Sequence, residues 1–219
     1  MKKLLIIFIV FSFPSSAGVL INGTRIIYAE SNKSGSISIE NPEASRAYLI
    51  QSWVDGGDKK NTRQFIITPP LLRMDAGDRT ELKIIRVAEL PSDRESLFWL
   101  NIRAIPSAKK GHDNSLQIAV KSRMKLFYRP LALAKSPAES DKKLVARYNS
   151  GHVDVTNPTP FHLVFYSFVV DDNEIKEADV VKPFSTVSYP LRGNRSPKTV
   201  SWRLIDDFGT VTHIQKQML

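Results

Sequence analysis

The sequence predicts an all-β protein built as two sandwich domains. Three observations carry that prediction. Short runs of period-two apolar alternation recur from residue 19 to residue 128. Clusters of Gly, Pro, Asn and Asp separate them. The pattern stops near residue 131 and resumes at 144.

The first run, 19–28 (VLINGTRIIY), precedes 36–40 (SISIE), which Asn41-Pro42 closes. The next, 47–54 (AYLIQSWV), ends at Asp55-Gly56-Gly57-Asp58. Then 64–68 (QFIIT) stops at Pro69-Pro70, a rigid turn in which one bond is a candidate for the cis form. Ala76-Gly77-Asp78 leads into 80–87 (TELKIIRV), and Leu90 to Glu95 reads as a short helical turn. The first half closes with 97–105 (LFWLNIRAI), a turn at 110–114, and 116–128. Seven short strands in about 110 residues match an immunoglobulin-like sandwich.

From 131, LALAKSPAESDKK has no period and reads as a linker. After it come 144–148 (LVARY), 152–156 (HVDVT), 161–170 (FHLVFYSFVV), 187–189 (VSY), 199–205 (TVSWRLI) and 210–214 (TVTHI), a second and smaller all-β domain. Asn157-Pro158-Thr159-Pro160 is a turn opening one of its strands. The predicted division is 1–17, 18–133 and 134–219.

Residues 1–17 read as a cleavable export signal. Lys2 and Lys3 precede an apolar stretch from Leu4 to Phe13, and Ser15-Ser16-Ala17 offers small residues for cleavage. The apolar stretch is about half the roughly 20 residues a membrane-spanning helix needs. The net charge is +9, two units of which sit in the leader, leaving +7. A basic chain invites a nucleic-acid reading. Export and the even spread of Lys and Arg argue against it, so the expected partners exclude nucleic acid. There is no cysteine, which excludes thiol chemistry and Cys-ligated zinc. About 200 residues bury enough apolar surface to fold without disulfides.

Catalytic motifs are absent. His112, His152, His162 and His213 form no HExxH or other metal-ligand spacing. No GxSxG elbow or phosphate-cradling glycine loop occurs. Asp171-Asp172 and Asp206-Asp207 are sequence neighbours, which point to opposite sides of a strand. The expected protein is not an enzyme and uses no cofactor or metal.

Residues 116–130, LQIAVKSRMKLFYRP, pose the functional question. Leu116, Ile118 and Val120 form an apolar row, and Lys121, Arg123, Lys125 and Arg129 follow as a basic cluster at the domain joint. Clefts between domains favour binding sites. The row is equally what a strand facing its own core presents. Strict alternation puts Lys125 on the opposite face from the row, unless twist or a bulge re-aims it.

Several stretches, in order along the chain, carry a resemblance: Thr24-Arg25-Ile26-Ile27-Tyr28, Gln51-Ser52-Trp53-Val54-Asp55, Thr68-Pro69-Pro70-Leu71, Asp93-Arg94-Glu95-Ser96-Leu97-Phe98-Trp99-Leu100-Asn101, Lys125-Leu126-Phe127-Tyr128-Arg129-Pro130, Asn157-Pro158-Thr159-Pro160-Phe161 and Asp207-Phe208-Gly209. Together they resemble the periplasmic pilus (fimbrial) chaperones of the chaperone–usher pathway, across the whole chain after the leader. The resemblance implies two immunoglobulin-like domains in a boomerang arrangement. It implies that Arg25 and Lys125 hold the C-terminal carboxylate of a pilus subunit. It implies that Leu116, Ile118 and Val120 act as a donor strand filling a subunit's groove, a recognition mode for which chaperone–pilin pairs are the type case. Glu95, Arg129 and Asp207 are implied as an interdomain charge network, with Asp206 the alternative to Asp207. The implied partners are pilus subunits and an outer-membrane usher, in the periplasm. Self-association through the exposed strand is a further expectation. The short, Cys-free loop 106–115 resembles the branch serving rod-like pili. The competing reading is a secreted fibre subunit or adhesin module, although two domains and a first strand starting almost at Gly18 fit it poorly.

Overall fold

A computed structural model of the chain describes residues 18–57, 63–107, 117–134, 137, 139–191 and 196–219. The expected leader, Leu116, His112 and most of the loop 106–115 lie outside the described residues.

The first domain is a sandwich of two sheets. One sheet orders β1 (Leu20–Ile21), β3 (Gly35–Glu40), β7 (Arg79–Arg86) and β5 (Phe65–Thr68) as β1-β3-β7-β5. The other orders β2 (Arg25–Ala29), β9 (Val120–Arg129), β8 (Ser96–Pro106), β4 (Tyr48–Gly56) and β6 (Leu71–Met74) as β2-β9-β8-β4-β6. Inward-facing residues of both sheets, among them Ile39, Ile50, Leu82, Ile84, Leu100 and Leu126, make one continuous core. The alternation read from sequence is this core face.

Three differences from the sequence expectation are instructive. The run 19–28 is two strands, because it serves both sheets. β1 pairs antiparallel with β3, while β2 pairs parallel with β9. The crossover falls at Gly23, whose φ of +138° is open to glycine and costly for other residues. β6 follows Pro69-Pro70 and pairs with Tyr48 to Gln51; the Thr68–Pro69 bond is cis. The expected helical turn at 90–95 is a series of bends, since Pro91 and the short polar run Ser92-Asp93 favour turn geometry over helix.

Two short 3-10 turns, Leu131–Leu133 and Ser140–Lys143, lead into the second domain. There β10 (Val145–Asn149), β11 (His152–Asn157) and β15 (Ser185–Pro190) form one sheet. The other holds β12 (Leu163–Val170), β13 (Asn173–Glu174), β16 (Thr199–Leu204) and β17 (Gln215–Met218), with β14 (Val180–Val181) also pairing with β12. A separate core gathers Val153, Val155, Phe168, Val181, Val200 and Trp202. The expected strand 210–214 is replaced by a loop in which only Val211 bridges to Ile205. The Thr212 hydroxyl accepts the Leu204 N–H and holds the loop against β16. The true last strand, QKQM, is polar and only half-buried, so it lacks the apolar row by which strands were recognised.

Candidate functional site

The two domains meet at a cleft of about 270 Å³. Arg25, Phe127 and Arg129 line it from the first domain, and His162, Leu204 and Asp207 from the second. Each position follows from strand register. β2 and β9 run parallel with Arg25 opposite Lys125 and Ala29 opposite Arg129. The register of β9 on β8 is continuous from Ala104–Val120 to Ser96–Tyr128, with no bulge. Strict alternation therefore holds along β9. Met124, Leu126 and Tyr128 point into the core, and Lys125, Phe127 and Arg129 point the other way, toward the second domain.

Ile118 and Val120 share the parity of the core-facing residues but project beyond the sandwich, at 68% and 58% exposure. β2 covers the edge of β9 only from Lys125 onward. From Val120 to Met124 that edge has no ladder partner among the described residues. An apolar, unpaired edge of this kind invites another strand.

Arg25 donates from Nη1 to the Ile205 carbonyl at 3.1 Å, across the joint. Its Nε is buried without a hydrogen-bond partner among the described residues. Burial lowers the Arg25 pKa, and the nearby charges of Asp206 and Asp207 work in the other direction. Lys125 sends its ammonium to Asp179, 2.8 Å away in the second domain. Its head also lies 5.2 Å from the Trp99 ring centre, and the Arg123 guanidinium sits 4.0 Å from the same ring. Trp99 is the direct cross-strand partner of Lys125.

The charged residues of the joint form one network. Arg129 approaches Glu95 at 2.7 Å and Asp207 at 2.7 Å, and its two terminal nitrogens grip the Asp207 carboxylate in a fork. Burial opposes the Arg129 charge, but its hydrogen bonds to Asp207 and the charges of Glu95 and Asp207 outweigh it, so its pKa is raised. The second oxygen of Glu95 accepts the His162 N–H at 2.8 Å, and the Glu95 N–H donates to the Pro160 carbonyl at 2.9 Å. Asp206 is used elsewhere: its Oδ1 accepts the N–H groups of Phe208 and Thr210 and closes its own loop. Its neighbour Asp207 is thereby left to face Arg129.

Sequence reasoning passed over three participants. Asn157 is fully buried, and its side-chain amide donates to the carbonyls of Phe161, Val181 and Lys182, fixing the turn that Glu95 grips. The Asn-Pro-Thr-Pro pattern was its signal. His162 stacks near Phe127 at 5.6 Å and faces Glu95 at 3.5 Å; it lies one residue before β12. Asp179 gave no signal, because only tertiary folding brings it to Lys125. His152 and His213 are exposed and away from this cleft.

Two family models match the chain. Residues 18–134 match the pili and flagellar-assembly chaperone PapD N-terminal domain, and residues 139–216 match the pili assembly chaperone PapD C-terminal domain. The probable fimbrial chaperone LpfB of Escherichia coli O157:H7 is 37% identical over 199 residues, covering 89% of this chain and 86% of LpfB. FimC of Escherichia coli K12 is 37% identical over 204 residues, covering 90% and 83%. Among solved structures, a chain in the complex of Salmonella enterica SafA pilin with the SafB chaperone matches with TM-score 0.84 and 30% identity, over 94% of this chain and 99% of that one. The periplasmic chaperone SfaE matches with TM-score 0.80 and 32% identity, over 92% and 100%. An all-β, two-domain molecule with matches of this extent is a pilus-assembly protein of the chaperone class. The chain belongs to the PapD family of chaperone–usher pilus chaperones.

Proposed function

We propose that the protein is a periplasmic chaperone that captures pilus subunits by donor-strand complementation and passes them to an outer-membrane usher. Residues 1–17 then serve as the export leader, 18–133 as the donor-strand domain and 134–219 as the second domain. The observation that carries the proposal is the pairing of Arg25 and Lys125 on adjacent parallel strands, Arg25 lining the cleft and Lys125 reaching the second domain beside it, with the buried Nε of Arg25 lacking an acceptor among the described residues. A chain-terminal carboxylate supplies that acceptor. Arg offers it a planar fork and Lys a compact point charge.

The direction of the captured strand follows from the ladder. β2 begins at the level of Lys125 and runs parallel to β9. A strand that fills the vacant edge from Val120 to Met124 and ends at Lys125 runs in the same direction. Its length along that edge is about 16 Å, at roughly 3.3 Å per residue. Leu116, Ile118 and Val120 then fill its groove from one face while the backbone ladder supplies affinity. Binding energy alone drives capture, with no nucleotide or cofactor. The same exposed edge accounts for self-association when no subunit is present.

The test is a pull-down from cells of the source organism with a C-terminal tag. The wild type is expected to bring down a small fibre subunit, and the Arg25→Ala, Lys125→Ala double variant is expected to lose it. Retention by the variant removes the anchor. Absence of any subunit while the pilus genes are expressed removes the chaperone reading.

A further inference from the structure

Lys125 already carries a carboxylate. Asp179, from the second domain, sits on its ammonium at 2.8 Å. The two ends of the pair differ: the Lys125 side chain is 18% exposed and that of Asp179 63%. The backbone of Asp179 is nonetheless fixed. Its carbonyl accepts the Phe165 N–H at 2.7 Å, and the next residue opens β14, whose Val181 is fully buried. An anchored strand start thus presents the carboxylate to the lysine. Arg25, directly across the ladder, makes no direct ion pair among the described residues, feels Asp206 and Asp207 only through their nearby charge, and keeps an unpartnered Nε.

We propose that Asp179 is a built-in placeholder that occupies the lysine half of the anchor until a subunit carboxylate displaces it. The inference rests on the carboxylate-anchor reading of Arg25 and Lys125. The energetics favour exchange in one direction. Asp179 is mostly hydrated, so its ion pair is weak and its release returns a charge to water at little cost. The incoming carboxylate gains both the ammonium and the unfilled Arg25 donor, in a more buried place. While Asp179 is in position, only part of the population offers a free lysine, and apparent affinity falls by that fraction. Its negative charge at the cleft also repels an approaching anion, an effect that salt screens. The placeholder gives Lys125 a counter-charge in the empty protein, and it links the domains at the spot the subunit must enter.

The test uses competition for limiting subunit. Wild-type and Asp179→Asn chains, carrying different tags, are expressed together in cells producing the pilus subunit, and mass spectrometry reads the subunit held per mole of each. Asn keeps the side-chain shape at an exposed position, and equal melting temperatures verify the fold. Asp179→Asn is expected to hold about two- to fivefold more subunit, the range set by an exposed ion pair. With Lys125→Ala in both chains, both are expected to lose the subunit, so the gain from Asp179→Asn disappears with the lysine. A ratio of one or below with Lys125 present, while Lys125→Ala alone loses the subunit, overturns the placeholder and leaves the anchor standing. Retention of the subunit by Lys125→Ala, or its absence from every chain, overturns the anchor and the placeholder together.

Discussion

Arg25, half-buried, and Tyr128, fully buried, are polar residues with unequal demands. The Arg25 guanidinium is half-desolvated, with one donor on Ile205 and another unfilled, a donor that the proposed carboxylate anchor would use. Arg25→Ala is expected to weaken subunit binding by about 2–5 kcal/mol, as for a truncated partner of a buried charge pair. Arg25→Lys is expected to recover only part of it, since the fork is lost; titration calorimetry on the purified complex partners reads both. Tyr128 has no ligand to wait for. Its hydroxyl is buried and makes no well-formed hydrogen bond among the described residues; burial, then the nearby Glu30 carboxylate as a weak acceptor, pushes its pKa from 10.0 to about 12. The folded state favours the neutral phenol, so the stability this gives is intact below pH 10 and is lost as pH rises toward about 12. Tyr128→Phe is expected to match or exceed the wild type at pH 7, because no well-formed hydrogen bond is lost with the hydroxyl. Between pH 10 and 12 its advantage in urea midpoint should widen; a constant difference across that range would sink the assignment.

At the scale of the strand, β9 divides into two parts that the sequence cannot separate. LQIAVKSRMKLFYRP starts with clean alternation, and Ile118, Val120, Met124, Leu126 and Tyr128 share one parity. The last three are core and the first two are exposed. What divides them is where the rest of the sandwich stops and where β2 begins to cover the edge, which is tertiary information. Periodicity made the strand, its faces and the opposite orientation of Lys125 legible. The split at Gly23, the polar β17 and the partner of Lys125 were not, because each depends on contacts far along the chain or on a strand without an apolar row. The division has a consequence for substitution. Ile118→Asp with Val120→Asp is expected to change folding stability by no more than about 0.5 kcal/mol, as at other exposed positions. The same change should abolish subunit capture in the pull-down, because it places charge in an apolar groove. A large drop in melting temperature instead would assign these residues to the protein's own core.

At the scale of the whole molecule, the two cores are independent and buried charged residues cross the joint between them. Glu95, Arg129 and Asp207 span it, and Glu95 extends the span to the His162 N–H and the Pro160 carbonyl. Such a network adds little net stability over an apolar substitute, so its benefit lies in fixing geometry. Here the geometry it fixes is the cleft that holds Arg25 beside Ile205. The members differ in what their loss exposes. Arg129→Ala strands Glu95, whose side chain is 2% exposed, and is expected to cost about 3–5 kcal/mol. Asp207→Ala leaves the Glu95–Arg129 pair intact and removes only the bond to the second domain, at 20% exposure; about 1.5–3 kcal/mol is expected, as for a hydrogen bond to a charged group. Because that bond crosses the joint, Asp207→Ala should loosen the domains while both stay folded. Small-angle scattering is then expected to give a larger radius of gyration than the wild type, and calorimetry two separated unfolding transitions. Subunit binding should weaken with it, although Asp207 does not belong to the proposed anchor, since the second domain supplies the carbonyl that holds Arg25. An unchanged radius with full subunit binding would mean that the backbone bonds of Glu95 to His162 and Pro160 hold the angle by themselves, and that Asp207 contributes only surface charge.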